Sequence, residues 1–61
     1  MNFELLGKKV TCHFMDDPYP VLPGTKGVIQ FTDDIGQIHV DWEDGRSLAL
    51  VPGKDEYTIE N

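Results

Sequence analysis

The sequence predicts an all-β domain of five short strands, and three observations predict it. Apolar residues recur at every second position wherever a period is readable, which is the spacing of a strand with one buried face. Glycine and proline, often beside aspartate, punctuate the chain at short intervals. The chain has 61 residues, enough for one domain with a single thin core. A domain of this size buries roughly 60% of the surface its unfolded chain exposes.

The elements follow in order. Residues 8–15 form a first strand in which Val10, Cys12 and Phe14 alternate with Thr11, His13 and Met15, which assigns the first three to one face. After Pro23-Gly24, residues 25–32 read TKGVIQFT, a β-branched and aromatic run that predicts a second strand with Ile29 and Phe31 on one face. Asp33-Asp34 turns the chain into residues 36–42, where Ile38, Val40 and Trp42 oppose Gln37, His39 and Asp41. A fourth strand runs from Arg46 to Val51 and is ended by Pro52-Gly53. A single turn over Gly53 to Glu56 leads to a short last strand from Tyr57 to Glu60.

The hairpin at residues 42–46 sets its own register. A two-residue Asp-Gly turn would pair Glu43 with Arg46 and leave Leu48 and Leu50 on the outer face. A three-residue loop, Glu43-Asp44-Gly45, with Gly45 left-handed in a G1 bulge, places Val40 opposite Leu48 and Ile38 opposite Leu50. One residue of slip flips every side chain, and only the second register buries all the large ones together.

Residues 16–24, DDPYPVLPG, fall in the long connection between the first two strands. Pro18, Pro20 and Pro23 fix φ and bias their predecessors toward extended backbone, so less entropy is lost when the loop is ordered. A long first connection, a tight hairpin and a single turn before the last strand make the order of a small SH3-like barrel. Residues 1–61 are expected to form this one domain, with 1–6 as an N-terminal lead-in.

Eleven acidic residues against five basic ones give a formal charge of −6, a surface that repels phosphate backbones and anionic lipid. Nucleic acid and membrane are therefore not the expected partners. Cys12 is the one cysteine, so no intramolecular disulfide forms, and a reducing cytoplasm is the expected location. The stretch MNFELLGKKV lacks the basic start, apolar length and small-residue cleavage site of a signal peptide. No apolar run is long enough to span a bilayer.

Three segments, DPYPVLPGTKG, DDIGQIHVDWEDGRSLALVPG and DEYTI, resemble an uncharacterised family of short bacterial proteins found in Firmicutes, their phages and mobile elements. The resemblance covers residues 7–60 and implies an SH3-like barrel; it carries over no catalytic residue. More loosely, GTKGVIQ followed by IHVDWEDGRS is similar to the strands of KOW and Tudor-like barrels, which bind nucleic acid, ribosomal partners or peptides.

These features point to a protein- or peptide-interaction module without catalytic activity. The expected partner-binding residues are Asp16, Asp17, Tyr19 and Pro20 in the long loop and Tyr57 by the last turn: aromatic groups edged by carboxylates, as in grooves that take proline-rich segments with an arginine. Trp42 shares the core face and is expected inside; Arg46 is placed to stack on it. Pro20-Val21-Leu22-Pro23 is a literal P-x-x-P, but Val21 and Leu22 are expected to fold back and cap one end of the barrel. Cys12, His13 and His39 match no zinc spacing, so neither metal nor cofactor is expected, and no triad or phosphate loop suggests an enzyme. Two alternative functions stand beside this: an acidic nucleic-acid-mimicking inhibitor, or a KOW-like nucleic-acid or ribosome-associated module. A monomer or weak homo-oligomer is expected.

Overall fold

In the computed structural model, which describes residues 1–61, the alternating stretches become five strands. They are β1 (Lys9–Phe14), β2 (Lys26–Thr32), β3 (Ile38–Trp42), β4 (Ser47–Leu50) and β5 (Glu56–Ile59). All pairings are antiparallel and make one sheet in the order β4-β3-β2-β1-β5. The sheet coils around its core in a barrel-like way and does not close, since no Cα of β4 comes within 8 Å of one in β5.

The core is built from the inward positions of the strands: Val10, Cys12, Ile29, Ile38, Val40, Trp42 and Leu50. Full burial of an aliphatic side chain stabilises by about 1.5–3 kcal/mol, so these few residues supply much of the driving force in so short a chain. Met15 and Val21 close the end where the long loop sits, and Leu5, Leu48, Tyr57 and Ile59 pack half-buried around the rest. The Trp42 indole N–H donates to the Leu48 carbonyl at 3.0 Å, so its one polar atom is satisfied inside.

The hairpin between β3 and β4 has the register expected from the burial pattern, with Val40 opposite Leu48 and Ile38 opposite Leu50. Gly45 stands at φ +88°, its N–H donating to the Trp42 carbonyl at 3.0 Å, while the Trp42 N–H donates to Arg46 at 2.8 Å. A left-handed residue at this point is what lets three residues turn the chain without splaying the strands.

Two faces differ from expectation, both because of a bulge. Between Cys12 and Phe14 the β1–β5 register shifts, so Cys12 pairs with Tyr57 and Phe14 with Glu56. The extra residue, His13, turns Phe14 out to solvent and sends Met15 into the core. Between Ile29 and Phe31 the β2–β3 register shifts in the same manner, pairing Ile29 with Val40 but Phe31 with His39. Phe31 thus lies on the outer face, stacked on the His39 ring with centroids 4.3 Å apart and tilted against Phe3 at 6.3 Å.

Residues 1–6 are more than a lead-in. Asn2 exchanges both backbone hydrogen bonds with Thr32, at 2.7 and 2.8 Å, and Leu5 packs against the core at the end opposite the long loop.

Candidate functional site

The connection between β1 and β2 is held from several sides. Where the chain leaves β1, Met15 is buried, and the following Asp16 N–H donates to Asp55 Oδ1 at 2.8 Å. Asp55 Oδ2 accepts from the Val51 N–H at 2.7 Å, so one buried carboxylate ties the start of the loop to the turn that precedes β5. The Asp17 carboxylate accepts the Tyr19 N–H at 2.8 Å, a local Asx turn. From the hairpin, the Arg46 guanidinium reaches over to donate to the Tyr19 carbonyl and, at 3.1 Å, to the Pro20 carbonyl. This contact replaces the expected stacking of Arg46 on Trp42.

The second half of the loop is fixed by backbone. Leu22-Pro23-Gly24-Thr25 forms a type II turn: Thr25 N–H donates to Leu22 at 3.0 Å and Gly24 has φ +89°. Gly24 N–H then donates to Cys12 at 2.7 Å, and Cys12 N–H to Thr25 at 2.8 Å, so the loop merges into the β1–β2 ladder.

This frame separates the loop's apolar side chains into two sets. Val21 points into the barrel end and is 1% exposed, whereas Tyr19 is 78% and Leu22 73% exposed. Leu22 therefore does not cap the barrel as expected, because the type II turn that follows it directs it outward.

The five expected partner-binding residues do not all converge. Asp16 lies beside Asp55 at the start of β5, two residues from Tyr57, which is half-buried against the core. Tyr19 and Pro20 lie at the other side of the loop, against Arg46 of the hairpin. Of the two side chains that brace the surface, Asp55 was not singled out by sequence and Arg46 was read only as a partner for Trp42, since neither carries a pattern that separates a brace from a solvated charge.

No group of three His, Cys, Asp or Glu side chains gathers to hold an ion. His13 Nε2 lies 2.7 Å from Thr58 Oγ1, and His39 Nε2 lies 2.8 Å from Asp33 Oδ2. The His39 hydrogen bond holds the Asp33 carboxyl below the usual range against the desolvation that pushes it up, with the Gln37 and Ile35 N–H groups adding to the lowering. Burial pushes the Cys12 thiol up, and the Asp55 charge adds to it, which makes Cys12 a protonated, inert core residue. On the outer face, Lys9, Lys26, Val28, Asp41, Trp42 and Glu43 line an open groove of about 310 Å³ in which cations and carboxylates offset one another. No helix is long and apolar enough to cross a membrane.

Residues 5–60 match the model of a family described as Domain of unknown function (DUF4314). No curated protein and no solved structure matches the chain.

Proposed function

The chain belongs to the DUF4314 family, a domain of unknown function, and from that premise we propose that it is a non-catalytic protein-interaction module. Its contact surface is the long loop together with the start of β5: Asp16 and Tyr57 on the side braced by Asp55, Tyr19 and Pro20 on the side braced by Arg46, with Asp17 between them and Leu22 added. The observation that carries this reading is the exposure of Tyr19 and Leu22 on a loop braced by Asp17, Arg46 and Asp55. A chain with so little apolar surface to bury gains stability by folding such groups inward; holding them outward on ordered backbone suits a partner, because little entropy is lost on binding. The single buried cysteine supports a reducing location such as the cytoplasm.

The test is capture from a cell lysate by wild type and by Tyr19→Ala/Leu22→Ser, at low and high salt, with circular dichroism confirming that both fold. A protein retained by wild type at both salts and lost by the variant supports the reading. Capture of basic proteins that salt abolishes and the variant leaves unchanged would favour the acidic mimic instead.

A further inference from the structure

We propose that the free edge of β5 receives an extended segment of the partner, one that alternates lysine or arginine with aliphatic residues. The inference rests on the interaction-module reading and specifies what the partner offers to the part of the surface that contains Tyr57.

The hydrogen-bond ladder identifies the free groups. Residues 8, 10 and 12 face β2: Ile29 N–H donates to Lys8, Cys12 N–H to Thr25, and Val10 pairs with Gly27 between them. In an antiparallel ladder successive residues bond to opposite neighbours, so Lys9 and Thr11 face β5. Glu60 N–H indeed donates to Lys9 at 2.9 Å, and Thr11 pairs with Thr58. By the same alternation, Tyr57 and Ile59 direct their N–H and C=O groups away from β1, along an edge that β4 does not reach.

The side chains on this edge select the occupant. On the core side Tyr57 and Ile59 are only half-buried, lining the gap that the sheet leaves open, so apolar side chains of an added strand would cover them. On the outer side Glu56 and Glu60 bracket Thr58, with all three exposed. A second copy of β5 added antiparallel about Thr58 would set Glu56 against Glu60 twice, and like charges directly opposite destabilise a strand pair. A strand with basic residues at those places reverses the sign of both contacts. The other free edge, β4, presents Ser47 and Ala49 on its outer face and has no such charge pattern. Main-chain pairing thus supplies affinity and the acidic bracket supplies selection.

The experiment uses the full chain, uniformly labelled with nitrogen-15, and a capped peptide Lys-Val-Thr-Val-Lys as the probe. Amide hydrogen exchange is read residue by residue, with the peptide in excess. At free peptide of about ten times Kd, the Tyr57 and Ile59 amides are expected to exchange about tenfold more slowly, with Ser47 and Ala49 unchanged. A peptide of the same composition in the order Lys-Lys-Val-Val-Thr is expected to leave all four unchanged. The exposed-charge variant Glu56→Lys/Glu60→Lys is expected to lose the effect and to gain it with Glu-Val-Thr-Val-Glu. No slowing at Tyr57 and Ile59, equal slowing by the scrambled peptide, or binding indifferent to the charge reversal would each overturn strand addition. Loop-dependent capture that persists with those two amides unprotected in the captured complex would overturn strand addition alone and leave the interaction module standing.

Discussion

Two connections between neighbouring antiparallel strands lie at the same end of this molecule, and they differ in where their conformation is set. The β3–β4 turn reverses the chain in three residues with local backbone, one left-handed glycine and two hydrogen bonds between residues at most four positions apart, and has one anchor beyond itself, where Glu43 exchanges hydrogen bonds with Lys26 at 2.8 and 2.7 Å. The β1–β2 connection is long, and its braces come from afar, Asp55 reaching Asp16 and Arg46 reaching Tyr19 and Pro20. The reversal of the hairpin is set locally, and Glu43 ties it only to the first residue of β2. A loop braced by distant side chains makes the last turn and the hairpin parts of one surface, which is why the proposed contact residues sit on the second.

Removing Asp55 is the strongest way to break the comparison. Asp55→Ala leaves the Asp16 and Val51 N–H groups without their acceptor in a nearly dry site, and each such loss costs about 1–3 kcal/mol. Urea denaturation is expected to register a loss of about 3 kcal/mol, with the β1–β2 connection and the β5 turn loosening together. Gly45→Ala comes next, at about 1–2 kcal/mol for a left-handed non-glycine residue, with nuclear magnetic resonance shifts confined to the hairpin and to Lys26, which Glu43 holds. Arg46→Ala sharpens the contrast. It removes an exposed contact worth about 1 kcal/mol, yet beyond the substituted residue and its immediate neighbours its shift changes are expected at Tyr19 and Pro20, far along the chain, with the hairpin hydrogen bonds kept.

The smallest effect concerns a third turn, between β2 and β3, which Asp33 caps by accepting the Ile35 and Gln37 N–H groups. The folded-state pKa of Asp33 is lowered from 3.8, so the stability it contributes is complete above that value and is lost as pH falls through the lower, folded one. Thermal melts in acid are expected to show a shallower loss of Tm for Asp33→Asn than for wild type, with the two curves parallel near neutral pH.

The sequence was most legible where the chain obeys a strict period of two. β3 and β4 could be read to the register because Ile38, Val40, Trp42, Leu48 and Leu50 have only one arrangement that buries them all. Periodicity misplaced Phe14 and Phe31 because one inserted residue, His13 or Gln30, reverses the inside and outside of everything beyond it. Neither bulge carries a glycine or other local signature. Phe14→Ser is accordingly expected to cost at most about 0.5 kcal/mol, against about 2–5 for Ile29→Ala, where an unbroken alternation ranks both as core. For the candidate site, the aromatic and acidic residues of the loop were visible in the sequence, but the braces were not. Asp55 and Arg46 act through distances that only the folded chain creates.

The most direct test of the account is nitrogen-15 relaxation across residues 16–24, since everything proposed for this surface depends on an exposed loop that is nevertheless held. The account predicts backbone order parameters of about 0.85, equal to those of the strands, with Tyr19 and Leu22 as ordered as Val40. Values below about 0.6 through Tyr19 and Leu22 would contradict it, leaving a loose connection in place of a presented surface.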